Sequence, residues 1–389
     1  MPDALDTKRR LRVLTLVDRL GTSGGGEKLA MRIAMRLDRE RFESWYCASR
    51  WSGGEPATDA GRRAVAELEQ AGVHAIGLGR QGARSLTGWG ALVGLMRRER
   101  IDVLHSHKFG SNSWGAVLAP LARVPVFVAH EHTWSYEGEP VRRFLDRELI
   151  ARRSAVFVAV SREDRRRMID VEGIAPDDVT FVPNGIDPVP PGDRDRVRRE
   201  LGVPEGVPLL GAVAVLREQK GLDVLLRAVA EVTREVPDVR LAVAGEGPER
   251  ASLEALAQEL RIAPSVMLLG NRSDVPDLLA AFDVAVSASW FEGSPLAAME
   301  YMDAGLPIVA TRVGGMPDLI DDGVHGLLLE AGDAAGLAAA VVELLRDPDG
   351  ARAMGERARE RRRAEFDLNG TVRTLEAMYE RLVAERGRQ

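Results

Sequence analysis

The sequence predicts an α/β protein built as two doubly wound parallel-sheet domains facing a central cleft. Three observations carry this. Short apolar runs alternate with segments of helical periodicity along nearly all of the 389 residues, the pattern of repeated strand–helix units. A Pro- and Asp-rich stretch, 182–195, interrupts the alternation near the middle of the chain, as an interdomain linker does. The stretch 283–315, DVAVSASWFEGSPLAAMEYMDAGLPIVATRVGG, reads strand, loop, helix, strand, the local unit of a parallel sheet.

In order along the first half, 11–17 is an apolar run bounded by charge, a buried first strand. A glycine-rich loop with Gly24, Gly25 and Gly26 follows, and then apolar residues at helical spacing, Leu29, Ile33 and Leu37. Strand, glycine loop and helix are the phosphate-binding arrangement of doubly wound sheets. The loop has neither the dinucleotide G-x-G-x-x-G spacing nor a P-loop Lys-Ser/Thr, and close helix–strand packing also calls for glycines. Further strands are expected at 44–48, 73–77, 102–105, 125–130, 155–160 and 179–182, with helices at 59–71, 87–100, 113–123, 140–152 and 162–172. Domain one is thus 1–187 and domain two 188–366, with 367–389 a C-terminal helix crossing back to domain one. In domain two, strands are expected at 208–213, 240–244, 266–269, 283–287, 307–310 and 326–329, and helices at 336–346, 349–365 and 371–385 end the chain.

Composition narrows the functional classes. A single cysteine, Cys47, rules out an internal disulfide and suggests a reducing, cytoplasmic compartment. Residue 47 reads as a buried thiol on a strand. Neither a membrane-spanning run nor a signal-type apolar core is found. The net charge is −6, with 29 Lys+Arg against 25 Asp+Glu through residue 187 and 24 against 34 beyond it. This balance speaks against nucleic acid and allows the front half to meet an anionic acceptor or lipid surface. The basic segments 141–153 and 162–168 suit peripheral contact with an anionic membrane face, and equally a solvated helix face. Asp193-Arg194-Asp195 spells the D-x-D of metal-dependent transferases, but it lies in the charged linker.

Two constellations carry chemistry. Glu292 and Glu300 bracket the loop and helix start of 283–315 with seven residues between them. A helix beginning at Pro295 offers free N–H groups and a positive dipole end to an anion, and Gly293 lets the backbone come close. Two carboxylates nearby can accept hydrogen bonds from sugar hydroxyls; the alternative is one Glu on a surface loop and one on a helix face. The second constellation is His105, His107, His130 and His132, two H-x-H pairs at strand ends. Residues i and i+2 share a strand face, so the pairs are either metal ligands or polar groups lining a cleft floor.

The segment FEGSPLAAMEYMDAGLPIVAT with its E-x7-E spacing, followed by Gly314-Gly315, resembles the hallmark of retaining glycosyltransferases of family four, which have the GT-B fold of two Rossmann-like domains. The likeness runs from Leu11 to about Phe366. It takes in Leu216, Lys220 and Gly221 after the first strand of domain two, although Val215 stands where the family has Arg. It also takes in Val243-Ala244-Gly245-Glu246-Gly247-Pro248, Leu269-Gly270-Asn271-Arg272, the hinge Asn184-Gly185-Ile186-Asp187, and His132-Thr133 at the end of its histidine segment.

The resemblance implies transfer of a sugar from a UDP- or GDP-sugar donor to an acceptor hydroxyl, with neither metal nor cofactor. It implies His132, Lys220 and Glu292 as catalytic residues. Donor binding falls to Gly24, Gly25, Gly26, Arg217, Lys220, Gly245, Asn271, Arg272, Glu292, Gly293, Ser294, Pro295, Leu296 and Glu300. Arg217 stands in for the missing cation, Glu292 positions sugar hydroxyls and Glu300 the ribose. The acceptor, lipid-linked by family habit, falls to His107, His130 and Trp134, and the surrounding stretches 51–56, 108–114 and 134–139 match no family pattern. The competing readings are a metal-dependent hydrolase using the paired histidines and a nucleotide-sugar binder without turnover.

Overall fold

The computed structural model describes residues 9–21, 24–54, 58–82, 85–133 and 139–387. They form two compact units, one running through Asn184 and taking in the chain from Leu368 onward, the other comprising Gly185–Asp367.

The first unit carries strands β1 (Leu11–Val17), β2 (Phe42–Ala48), β3 (His74–Gly77), β4 (Val103–His107), β5 (Val126–His130), β6 (Val156–Ala159) and β7 (Val179–Phe181). Its helices are α1 (Gly25–Arg36), α2 (Asp59–Gln70), α3 (Trp89–Arg98), α4 (Lys108–Ala122), α5 (Pro140–Leu145) and α6 (Arg162–Asp170). The seven strands run parallel in the order β3-β2-β1-β4-β5-β6-β7. β4 and β5 are buried along their whole length, as expected for parallel strands covered on both faces. Cys47 is a buried free thiol on β2, and burial raises its pKa to about 12, so it is inert packing.

Most elements fall within three residues of the periodicity reading, and two depart from it further. Helix α4 begins at Lys108, five residues before the expected start at 113. The expected helix 140–152 is α5 followed by a π-helical turn, Asp146–Ala151.

The second unit carries α7 (Arg194–Glu200), β8 (Leu209–Val213), α8 (Leu222–Glu235), β9 (Arg240–Ala244), α9 (Arg250–Glu259), β10 (Val266–Gly270), α10 (Val275–Ala281), β11 (Val284–Ser287), α11 (Leu296–Asp303), β12 (Ile308–Thr311), α12 (Met316–Leu319), β13 (Leu327–Leu329), α13 (Ala334–Arg346) and α14 (Pro348–Glu365). Its parallel sheet is ordered β10-β9-β8-β11-β12-β13. Asp193 of the D-x-D triplet accepts the Arg196 N–H at 2.9 Å and caps α7, a structural task. A buried ion pair at 3.3 Å joins Arg362 of α14 to Asp303 at the end of α11, and Arg362 also donates to the Ile186 carbonyl at 3.1 Å.

The last helix, α15 (Leu368–Arg386), packs within the first unit. Leu375 and Tyr379 are buried there. Glu376 accepts the Asp38 N–H at 2.7 Å, and Thr371 donates to the Pro183 carbonyl at 3.0 Å. Among the described residues no helix is long and apolar enough to cross a membrane.

In each sheet the strand order reverses beside the first strand, between β1 and β4 and between β8 and β11. Open parallel sheets bind ligands outside the carboxyl ends of their strands at such a reversal. The glycine loop follows β1 and the first histidine pair ends β4. The Lys220 turn follows β8 and the Glu292 loop follows β11. The topology alone therefore brings each set of sequence candidates to the ligand-binding edge of its own sheet.

Candidate functional site

In the second unit the loops after β8 and β11 are knitted together. The Gln219 carbonyl accepts the Trp290 N–H at 2.8 Å, and the Gln219 amide donates to the Phe291 carbonyl at 3.0 Å. Gly221 makes the close approach possible. Its φ is +56°, and a Cβ there would lie 2.0 Å from the Ala288 carbonyl oxygen.

This junction sets Lys220 beside Glu292, with Nζ donating to Oε1 at 2.5 Å, while the Ser289 hydroxyl donates to the same oxygen at 2.7 Å. Glu292 is buried and Lys220 half-buried. One carboxylate oxygen of Glu292 is thus held by two donors. Gly293, Ser294 and Pro295 complete the loop. Pro295 is the N-cap of α11 and supplies no side-chain cap, which leaves the helix start at Leu296 open to an anion. Glu300 lies in the second turn of α11, partly buried.

Val215, in the family's Arg position, is 43% exposed. Arg217, two residues on, is exposed, and among the described residues its side chain has no carboxylate partner. The Gly245 N–H donates to the Gly270 carbonyl at 2.8 Å, joining the ends of β9 and β10, and Asn271 is exposed in the next turn. Arg272 is engaged differently. Its guanidinium donates to Asp274 at 2.7 and 2.8 Å and to Glu200 at 3.1 Å, so its donors serve a carboxylate network that also contains Arg196.

In the first unit the four histidines form one stack across the ends of β4 and β5. His107 and His130 are register partners in the parallel ladder. Ring centroids lie 4.2 Å apart for His105 and His107, 4.9 Å for His107 and His130, and 4.5 Å for His130 and His132. His105 Nε2 meets His130 Nδ1 at 3.1 Å, and His107 Nδ1 meets His132 Nε2 at 2.9 Å. Asn112 of α4 holds the His130 backbone, taking its N–H at 3.3 Å and donating to its carbonyl at 3.2 Å.

Burial is the main reason that all four imidazoles titrate well below the usual histidine range, and the only one for His130, at about 3; neighbouring rings push His105, His107 and His132 the same way, as does Lys108 for the latter two. At neutral pH each therefore carries one proton, on one of its two nitrogens.

Ligand nitrogens of His105, His107 and His130 lie within 4.8 Å of one another. The rings are stacked, however, and His105 directs one nitrogen at His130 and the other at the Tyr379 hydroxyl, 2.6 Å away. A tetrahedral metal site needs in-plane lone pairs that converge. Here both His105 nitrogens and one nitrogen on each of the other three rings are spent in hydrogen bonds, so the geometry favours a ladder of neutral rings.

The glycine loop comes down on this stack. A Cβ on Gly26 would lie 2.9 Å from His132 Cγ and 3.0 Å from Lys108 Cε. Gly24, with φ +84°, caps α1, which opens at Gly25. Lys108 itself takes φ +68° and donates to Glu27, a strained non-glycine conformation of the kind that gathers at functional sites. Sequence spacing singled out neither Lys108 with Glu27, nor Ser289, nor Tyr379. Lys108 and Tyr379 follow no motif, and only the left-handed backbone marks the former. Trp114 packs against Trp89, with ring centroids 4.9 Å apart, and helps fill the core. Trp134 lies outside the described residues.

Residues 193–361 match the family model described as glycosyl transferases group 1, and residues 23–189 match that of Glycosyltransferase Family 4. N-acetyl-alpha-D-glucosaminyl L-malate synthase of Bacillus anthracis is 35% identical over 187 residues, covering 48% of this chain and 49% of that protein. D-inositol 3-phosphate glycosyltransferase of Corynebacterium jeikeium is 37% identical over 218 residues, with 52% of each covered. The chain thus spans about half the length of the curated relatives it matches. Among solved structures, Anabaena Alr3699/HepE in complex with UDP-glucose superposes with a TM-score of 0.82 at 22% identity, covering 95% of this chain and 100% of that one.

Proposed function

Because this chain belongs to glycosyltransferase family 4 and has its GT-B fold, we propose that it transfers a sugar from a nucleoside diphosphate donor to an acceptor hydroxyl with retention of anomeric configuration. The observation that carries this reading is Lys220 and Ser289 converging on Glu292 at the open start of α11. As the glycosidic bond breaks, C1 of the sugar gains oxocarbenium character and negative charge grows on the diphosphate. Lys220 supplies a cation for that charge, Arg217 a second, and the N–H groups of Gly293, Ser294 and Leu296 a preorganised anion seat. In this scheme cations and a helix dipole do the work that a metal ion does elsewhere, and no cofactor is called for.

Glu292 aligns the sugar hydroxyls and Glu300 the ribose, while Gly245 and Asn271 present backbone to the base. His132 contacts the sugar and His107 orders it, beside the glycine loop. Uridine is the leading base, since the Anabaena neighbour binds UDP-glucose. The names of the curated relatives, together with the more basic front half of the chain, favour a small hydroxylated anion such as L-malate or inositol phosphate as acceptor. A lipid-linked acceptor in cell-envelope glycan synthesis, reached from the cytoplasmic membrane face, is the second reading.

The test measures UDP release and product mass for a panel of UDP- and GDP-sugars with each acceptor class, plus NMR of the product anomer. Lys220→Ala and Glu292→Gln are each expected to lower kcat by about 100- to 1,000-fold, as removal of a charge-stabilising group does. Full rates in both variants would remove the assignment. Hydrolysis without transfer, abolished by chelator, would point instead to the metal hydrolase.

A further inference from the structure

Three ring nitrogens in the histidine stack are buried and, among the described residues, without a hydrogen-bond partner: Nε2 of His107, Nε2 of His130 and Nδ1 of His132. Buried polar atoms left unpaired are uncommon, and three in one stack point to a missing partner. His105 has both nitrogens engaged, Nδ1 with the Tyr379 hydroxyl at 2.6 Å and Nε2 with His130 Nδ1 at 3.1 Å. Tyr379 comes from α15, and its ring is locked edge-on against Phe42, centroids 6.3 Å apart.

Protons can be placed along Tyr379, His105 and His130 in two ways. If the phenol donates to His105 Nδ1, then His105 carries its proton on Nε2 and donates to His130 Nδ1. His130 is then protonated on Nε2. If instead His105 donates to the phenol oxygen, the direction reverses throughout. The buried phenol proton is then left without an acceptor, in addition to the unpaired His130 lone pair. The first arrangement leaves fewer groups unsatisfied and makes the phenol, the stronger donor, the donating partner. Burial also raises the pKa of Tyr379, so the phenol keeps its proton.

The other pair, His107 and His132, shares a single proton across its 2.9 Å contact. Whichever ring donates, one outer nitrogen of that pair is a donor and the other an acceptor. With His130 protonated on Nε2, the three orphan atoms offer two donors and one acceptor. A hydroxyl group has two acceptor lone pairs and one donor. With the reversed relay the stack would offer one donor and two acceptors, a poor match.

We propose that Tyr379 and His105 are positioning residues that hold His130 in its Nε2–H form and so make the stack complementary to a hydroxyl of the bound sugar or acceptor. This rests on the glycosyl-transfer reading for the identity of the ligand, but not for the direction of the relay.

The test uses the full chain labelled with 15N-histidine, with ring tautomers read from long-range 1H–15N correlations and His130 assigned through His130→Gln. The wild type is expected to show His105 and His130 both protonated on Nε2. Tyr379→Phe keeps the ring against Phe42 and removes only the hydroxyl. It is expected to mix the two tautomers of His130 and to lower kcat on the order of 10-fold, as loss of a group orienting a functional imidazole does. The inhibition constant of free UDP, which lacks the sugar, should stay within about 2-fold, because the residues assigned to the diphosphate lie in the other unit. Nδ1 protonation of His130 in the wild type overturns the relay, and does so even if Tyr379→Phe fails to fold. An unchanged tautomer in a folded Tyr379→Phe overturns it as well, and a changed tautomer with intact kcat overturns its role in the reaction. Failure of the wild type to turn over any donor would sink the glycosyl-transfer reading, while the tautomer spectrum would still decide the relay.

Discussion

Lys220 already has a carboxylate partner before any ligand arrives. One of its three N–H donors goes to Glu292, which leaves two for a diphosphate and fixes where the ammonium sits. A preplaced charge loses less entropy on binding than a free one. Arg217 is the opposite case, exposed and without a carboxylate partner among the described residues. If it replaces the cation missing at Val215, Arg217→Ala lowers kcat/KM by about 10-fold or more, roughly 1.4 kcal/mol, with an unchanged melting temperature. A steady-state comparison at fixed acceptor, alongside a thermal melt, checks both halves. Gly221→Ala acts through the backbone, with a Cβ 2.0 Å from the Ala288 carbonyl oxygen at a positive φ. It is expected to cost more than about 2 kcal/mol of stability in urea unfolding and to disturb the Lys220–Glu292 contact. Lys220, Glu292 and Gly221 could each be picked out of the sequence, by residue type and local setting. Their meeting could not, because 72 residues separate the lysine from the glutamate and no local period reports a contact between two strand-end loops.

The strands were legible because parallel strands buried on both faces are written as continuous apolar runs, as in Leu11–Val17. The start of α4 was not legible. Gly110, Ser111 and Asn112 are weak helix formers, and here tertiary bonds override propensity. The Ser106 hydroxyl donates to the Asn112 side chain at 2.7 Å, and Asn112 grips the His130 backbone. The H-x-H spacing correctly placed both imidazoles of each pair on one face, but whether such pairs bind metal or one another depends on ring orientation, which spacing does not encode. Ring burial has a pH consequence. Each of the four histidines has a folded pKa below its unfolded value of 6.5. As pH falls below about 6.5 the unfolded chain takes up protons the native stack refuses, so stability drops by up to about 1.4 kcal/mol per pH unit for each ring. Asp146 works the other way. Burial, with Glu172 and Glu131 adding to it against Arg142, lifts its pKa to about 8. The native state therefore holds a proton that the unfolded state has lost, and stability declines as pH rises from about 4 to about 8. Four rings outweigh one carboxyl on the acid side, so stability should peak near pH 6.5. Asp146→Asn should flatten the alkaline limb, and urea midpoints across pH 4.5–9 test both limbs.

At the scale of the chain, the two sheets share one plan, with the strand order reversing beside the first strand of each. That plan could be read from two rounds of strand–helix alternation broken by a Pro- and Asp-rich segment. What α15 packs against could not, since a helix at the end of a chain shows its apolar positions without naming their partners. The structure brings it into the first unit, with Leu375 fully buried. Leu375→Ala should remove about 2–5 kcal/mol. In hydrogen–deuterium exchange the loss of protection should fall on β4 and β5 and spare β8 to β13.

The chain's route has a further consequence, in time. A ribosome delivers the chain through Asn184 before the whole of Gly185–Asp367, and only afterwards the helix that the opening half needs. At about 5–20 residues per second, the nascent amino-terminal half waits roughly 10–40 s with Phe42 and His105 uncovered. During that interval the half is incomplete, and a message broken anywhere in the intervening stretch yields no finished half at all.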